Sequence, residues 1–171
     1  YNGACFRVRR STDDAELDIY FSGKTYDKSA LLTFIGSNSG YIKTWYDQSV
    51  NGNHATQTEK DKQPRIVNSG VIDDGIYFDG SNDRLDIVIS TSLNIIAAPL
   101  SIVTAHLTAS GGGNGYLVCI NDSASTNVQY AVNTNVTENR LELRLNGSVI
   151  ATSSLNSISR NIKYSNTMIW N

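Results

Sequence analysis

Trp45-Tyr46-Asp47-Gln48-Ser49-Val50-Asn51-Gly52-Asn53-His54-Ala55-Thr56-Gln57 is the stretch on which the reading of this chain turns. An aromatic strand end runs into an acid, a cluster of amides and a glycine. The string is too polar for a core strand and too aromatic for an idle linker. It reads as a defined loop leaving a β-sheet, because Asp, Asn and Gly hold turns by side-chain hydrogen bonds or by positive φ.

Working outward, the neighbouring segments alternate apolar and polar residues with period two, which puts one set of side chains on a buried face. Cys5 to Arg10, Leu17 to Phe21, Tyr41 to Tyr46, Arg65 to Val67, Gly75 to Phe78 and Arg84 to Val88 read as strands. So do Leu100 to Leu107, Gly115 to Ile120, Val128 to Val132, Arg140 to Leu145, Val149 to Thr152 and, more weakly, Ile162 to Trp170. Gly, Asn, Asp and Ser bound these runs at short intervals, so the fold expected is an all-β antiparallel sandwich. Two local signals are sharper. Asn146-Gly147, between alternating flanks, predicts a two-residue hairpin turn, since both residues accept the positive φ that matches strand twist. Tyr26 to Gly36 predicts one short helix near residues 27–35, capped by Asp27 and ended by Gly36, with Leu31, Leu32 and Ile35 buried.

The chain has 171 residues, 40% hydrophobic and 18% charged, which suits a single β-sandwich domain over residues 1–171 with its own core. It opens on Tyr1 rather than Met, and is expected to be a piece of a longer protein. A net charge of −2 argues against a phosphate-binding surface, so no nucleic-acid partner is expected. No run approaches the roughly 18 apolar residues of a membrane span, and no membrane partner is expected either. Cys5 and Cys119 each sit in an apolar run, which favours buried free thiols over a disulfide between them. The run Ser110 to Gly115 lacks the Lys-Ser/Thr of a phosphate loop and reads as a hairpin connection.

From Phe6-Arg7-Val8-Arg9-Arg10 through Asp18-Ile19, the helix and then the Trp45–Gln57 string, the first third resembles the opening of the catalytic domain of family-54 (B-type) α-L-arabinofuranosidases. A similar opening occurs in phage and bacterial surface proteins, where it continues into a concanavalin A-like, laminin-G-like jelly roll. Phe78-Asp79-Gly80-Ser81-Asn82-Asp83-Arg84-Leu85 resembles the strand–turn–strand element of that second group, and Leu143 to Ile150 its Asn-Gly hairpin. The resemblance covers residues 5–90, and implies a concanavalin A-like jelly roll. One departure stands out: Val50 occupies a position where glycine is usual, so it is expected to avoid a left-handed φ.

Glycoside hydrolysis uses two carboxyl groups about 5–5.5 Å apart for retention or about 6.5–9.5 Å for inversion. Glutamate occurs only at Glu16, Glu59, Glu138 and Glu142. Glu16 and Asp18 share a strand face, but Tyr20 stands where a third acid would complete a glucanase-like motif, so a solvated face is expected. No catalytic residue is assigned. Asp47 reads first as a carboxylate bracing its own loop. Sugar recognition pairs aromatic faces with Asp, Asn and Arg, which makes Tyr46, Asp47, Asn51, Asn53, Asn82, Asp83 and Arg84 the candidate ligand contacts. Trp45 is expected inward and Tyr46 partly exposed. Asp79 and Asp83 offer oxygens for Ca2+, but an acidic turn is the favoured reading and no cofactor or metal is expected.

The leading functional expectation is therefore a non-catalytic surface or virion-associated module, such as a phage tail or head appendage or a bacterial surface protein. It would bind a glycan or host-surface polysaccharide for adhesion, alongside other subunits of a larger assembly, in an extracellular or virion-surface setting. The alternative is a divergent or truncated glycoside hydrolase of the arabinofuranosidase type, and a third reading is a structural protein–protein interaction module.

Overall fold

In a computed structural model, described for residues 3–88 and for the strand segments 100–107, 115–121, 128–135, 140–145, 148–152 and 163–170, the period-two runs pair as antiparallel strands. Contacts divide the chain into two units, Tyr1–Asn94 and Ile95–Asn171.

In the first unit the strands are β1 (Ala4–Arg10), β2 (Glu16–Ser22), β3 (Thr25–Tyr26), β4 (Gly40–Trp45), β5 (Ala55–Thr56), β6 (Arg65–Asn68), β7 (Val71–Tyr77) and β8 (Asp86–Ile87). They form one sheet in the order β3-β2-β1-β4-β5-β8, with β6 pairing both β4 and β7. β1 is thus central, flanked by β2 and β4. Its register sets Arg7 opposite Asp18 on one side and opposite Thr44 on the other.

Val8, Ile19, Ile42, Ile66 and Val67 are fully or almost fully buried, and α1 (Lys28–Ile35) adds Leu31 and Ile35 to the same cluster. The helix forms where its caps dictate. Asp27 accepts a hydrogen bond from the Ala30 N–H at 2.9 Å, satisfying one of the donors a helix start leaves open. Gly36, at φ 61°, ends it and donates its N–H to the Leu32 carbonyl at 2.8 Å. Leu32 was expected inside and is 37% exposed. Leu31 and Ile35, four apart, stack on one helix face, and Leu32 is turned about 100° away from Leu31. Asp27→Ala is expected to cost the N-terminal unit about 1 kcal/mol in urea unfolding, the usual value of an N-cap. An unchanged midpoint would show that the cap contributes nothing.

In the second unit, β9 (Leu100–Leu107) pairs with β14 (Lys163–Trp170), and β10 (Gly115–Asn121), β11 (Val128–Asn135), β12 (Arg140–Leu145) and β13 (Ser148–Thr152) follow one another in a four-stranded sheet. The weak signal of Ile162 to Trp170 is an eight-residue strand, paired without interruption from Lys163↔Leu107 to Trp170↔Leu100. The hairpin expected around Asn146-Gly147 is present as the antiparallel pair β12·β13, closed by Leu145 opposite Ser148. Asn146 and Gly147 themselves, the glycine-rich run 110–114, and the side chains of His106, Cys119, Glu138 and Glu142 lie outside the described residues.

All the strand pairings are antiparallel and the described residues hold one α-helix, so the all-β, sandwich-like class expected from the sequence is the one observed. No helix among the described residues is long and apolar enough to cross a membrane. Cys5 is a free, buried thiol, and burial pushes its pKa up.

Candidate functional site

β4 does not run evenly against β1. Arg7 faces Thr44 and Val8 faces Ile42, so Lys43 is an extra residue in the ladder, a β-bulge. The bulge changes which side chains β4 presents. It sets Trp45 opposite Phe6 on one side and opposite Ala55 on the other. The small Ala55 covers little of the indole, so Trp45 is 49% exposed. The expectation that Trp45 points inward is thereby corrected.

Tyr46 is half-buried, and its hydroxyl donates to Asp18 Oδ1 at 2.9 Å. Asp18 in turn accepts both Nε and Nη2 of Arg7 at 2.8 Å, a bidentate, charge-assisted pair across β1 and β2. The Arg7 guanidinium, helped by the Tyr46 hydroxyl, holds the Asp18 carboxyl below the usual carboxylate range. On the same face Lys43 Nζ pairs with Glu16 Oε1 at 2.6 Å. The Glu16–Asp18 face is therefore engaged by cations from β1 and β4. Sequence reasoning singled out Asp18 but missed Arg7. The two flank the Ser11–Ala15 turn on adjacent strands, and that hairpin placement was the available signal.

The loop from Tyr46 to His54 is built around Asp47. Its carboxylate accepts from Ser49 N at 2.8 Å, Ser49 Oγ at 2.7 Å and Asn53 N at 2.9 Å. These donors, Ser49 Oγ first, lower its pKa. The Asp47 N–H donates to His54 Nδ1 at 3.0 Å, and the His54 ring meets Tyr46 edge to face with centroids 5.0 Å apart. Gln48 Nε2 ties the loop back to the Tyr46 carbonyl at 2.8 Å and the Ala4 carbonyl at 3.2 Å. Gly52 supplies the left-handed turn at φ 72°, whereas Val50 keeps a negative φ and is 98% exposed. The residue that looked like a departure from the loop's pattern bears no strain. Asn51 is exposed and Asn53 half-buried.

The second group of candidates sits between β7 and β8. Asp79 Oδ1 accepts the N–H groups of Ser81, Asn82 and Asp83 at 2.8, 3.2 and 3.4 Å, while Asp83 Oδ2 accepts that of Asp79 at 3.0 Å. Backbone donors lower the Asp79 pKa; burial, with the Asp79 charge, raises that of Asp83. Arg84 reaches Asp86 Oδ2 at 3.1 Å and Glu59 Oε1 at 3.8 Å. The carboxylates are spent on their own turn, and no group of three or more His, Cys, Asp or Glu among the described residues could hold a metal.

The seven candidates thus fall into two groups. β5 and β8 pair as Ala55↔Ile87 and Thr56↔Asp86. Their antiparallel sense sets the Tyr46–His54 loop at one end of the pair and the Phe78–Leu85 loop at the other. Tyr46, Asp47, Asn51 and Asn53 share one loop; Asn82, Asp83 and Arg84 share the other.

Asp18 gives the site a definite acid response. Its folded pKa lies below the unfolded value of about 3.9. The stability it contributes is therefore fully present above about pH 4 and is lost as pH falls through the folded pKa. Asp13, held at about 2 by Arg10, extends the loss to still lower pH. Thermal melts between about pH 6 and pH 2 should show Asp18→Asn with a shallower acid decline than wild type. Parallel curves would refute the pairing.

Comparison with known proteins bears on this site. The family model of the α-L-arabinofuranosidase B catalytic domain matches residues 1–81, which include the Tyr46–His54 loop and the Arg7–Asp18 pair. No curated protein matches. Among solved structures, a mutant of a GH54 α-L-arabinofuranosidase soaked with 4-nitrophenyl α-L-arabinofuranoside is 15% identical, with a TM-score of 0.53 over 88% of this chain. The GH54 enzyme soaked with a cyclic sulfate inhibitor gives the same values, and an arabinofuranosidase complexed with arabinofuranosyl-α-1,2-xylobiose is 17% identical with a TM-score of 0.51. At these identities the likeness is one of fold. The chain spans 38% of the length of each of these structures. These matches overturn the leading expectation of a non-catalytic, phage- or virion-associated adhesion module. They point instead to the arabinofuranosidase type of glycoside hydrolase that stood as the alternative.

Proposed function

We propose that this chain carries a glycoside hydrolase module of the α-L-arabinofuranosidase type, acting on arabinofuranosyl-substituted glycans. The observation that carries the reading is the match of residues 1–81 to the arabinofuranosidase B catalytic domain, which includes the whole Arg7–Asp18–Tyr46–Asp47 arrangement. The fold likeness to structures holding an arabinofuranoside and an arabinofuranosyl-xylobiose supports the same substrate class. A concanavalin A-like jelly roll in an extracellular setting completes the proposal.

In this reading Asp18 and Asp47 position other groups and donate no proton. Asp18 and Asp47 both have lowered pKa values, so neither suits the protonated carboxyl that a glycosidase uses as its acid. Arg7 and Asp18 fix the Tyr46 hydroxyl; Asp47 fixes the loop that presents Asn51 and Asn53. Those amides and the Tyr46 ring edge are the groups that meet sugar hydroxyls. Asn82, Asp83 and Arg84 serve the β7–β8 turn. Glycoside hydrolysis by two carboxyls needs no metal, and the proposal includes none.

A panel of 4-nitrophenyl glycosides tests this. The protein is expected to release nitrophenol from the α-L-arabinofuranoside and to leave the β-D-glucoside intact. Asp47→Ala is expected to lower kcat/KM by about 10–100-fold, the scale on which misplacing a supporting group acts. Equal turnover of both glycosides would reject the assignment.

A further inference from the structure

We propose that Asn51 is a site of spontaneous deamidation, opened by the fold where the other asparagines of residues 3–88 are closed. The reaction needs the backbone nitrogen of the following residue. That nitrogen, deprotonated, attacks the Asn side-chain carbonyl; a C–N bond forms to it, the bond to the side-chain amide breaks, and ammonia leaves. The resulting five-membered imide is then opened by water at either carbonyl, giving an aspartyl or an isoaspartyl residue. The net change is one water consumed and one ammonia released, with no oxidant or cofactor.

A backbone N–H already donating to an acceptor cannot attack until that bond opens. The described asparagines divide on this point. The nitrogen after Asn38 belongs to Ser39 and donates to Ser11 Oγ at 3.2 Å. The one after Asn68 belongs to Ser69 and donates to Ser39 Oγ at 3.1 Å. After Asn53, His54 N donates to the Gly52 carbonyl at 2.9 Å, and after Asn82, Asp83 N donates to Asp79 Oδ1 at 3.4 Å. Of the nitrogens that follow asparagines within residues 3–88, only that of Gly52 donates no hydrogen bond to a described residue. Gly52 also has no side chain to crowd the attack, and no atom lies within 4 Å of where a Cβ would stand. Asn51 is exposed, so its amide is open to attack and the imide to water. The Ser49 Oγ contact at 3.2 Å holds the Asn51 N–H and leaves the side chain unheld. Conversion adds a carboxylate to the loop that Asp47 organises, so the site's charge changes with the age of the protein.

The test compares each asparagine with itself. Folded protein and protein unfolded in urea are incubated side by side at mildly alkaline pH, then mapped by peptide mass spectrometry with enzymatic methylation of isoaspartate. Asn51 is expected to react in the folded protein within about threefold of its unfolded rate, because no bond must open first. Asn38 and Asn68 are expected to slow by about tenfold or more, a factor of ten for each ~1.4 kcal/mol of local opening. N51Q, whose fold is checked by circular dichroism, should remove the isoaspartate signal from its peptide. Protection of Asn51 equal to that of Asn68, or no conversion of Asn51 in the folded protein, overturns the proposal. Either result leaves the hydrolase reading untouched, since that rests on turnover.

Discussion

Ile42→Ala is expected to destabilise the N-terminal unit by about 2–5 kcal/mol, the range for truncating a large aliphatic side chain in a closed core. Ile42 is fully buried and stands opposite Val8, itself fully buried. Cys5, Phe6, Ile19, Leu31, Ile35, Ile66 and Val67 complete the cluster. Strands hold the site from below and the helix closes it from above, so the walls cannot collapse into the space left by three carbons. The backbone at the same residue is also fixed, since Ile42 N donates to the Pro64 carbonyl at 2.8 Å. Urea unfolding should show a lower midpoint with an unchanged slope, the mark of lost stability rather than an altered unfolded state. A loss under about 1 kcal/mol would mean that the cluster is loosely packed.

Gln63→Leu is expected to cost about 1–3 kcal/mol by a different route, the loss of buried hydrogen-bond partners. Arg9 and Gln63 are both buried polar residues. Arg9 Nε donates to Gln63 Oε1 at 2.7 Å, and Gln63 Nε2 donates to the Gln57 carbonyl at 2.8 Å. The remaining guanidinium contacts are the Asp14 carboxylate at 3.0 Å, the Lys60 carbonyl at 3.4 Å and the Tyr41 ring at 4.9 Å. Leucine would fill the volume but leave Arg9 Nε and the Gln57 carbonyl without these partners. Arg9→Met alone removes the charge, and the double variant should be more stable than the sum of the two single losses predicts, because each partner's cost is mostly the orphaning of the other. Strictly additive losses would show that the contact carries no coupling.

These two sites differ in how far the sequence announced them. Val8, Ile19 and Ile42 follow from period-two alternation, and Asp27 and Gly36 mark the helix ends by local chemistry. Both are short-range signals. Arg9 and Gln63 lie 54 residues apart, and their shared burial depends on a contact that no local pattern encodes. Trp45 was misplaced for another reason. The extra residue at Lys43 puts it on the face of buried Phe6, yet its other cross-strand neighbour is the small Ala55, and alternation does not encode what covers a side chain at a strand end. β3 and β5 are two residues each, too short for periodicity to register.

At the candidate site, Asp47 as brace of its own loop was legible because Asp followed by Ser, Asn and Gly is itself a turn signal. The Tyr46–Asp18–Arg7 connection was not, since it crosses three strands. Val50 drew the functional reading the wrong way. It seemed to mark divergence from an enzyme loop, yet it lies in solvent and Gly52 carries the positive φ, so the exchange costs the loop nothing. The weight given to that residue, and to the shortage of acids, favoured a binding module over a hydrolase.

The most direct measurement is the release of arabinose from arabinofuranosyl-α-1,2-xylobiose by the full chain, followed over time by chromatography. The account predicts enzyme-dependent accumulation of arabinose and xylobiose in equal amounts, with the Asp47→Ala protein slower than wild type at the same concentration. Intact trisaccharide after prolonged incubation with folded protein would contradict it.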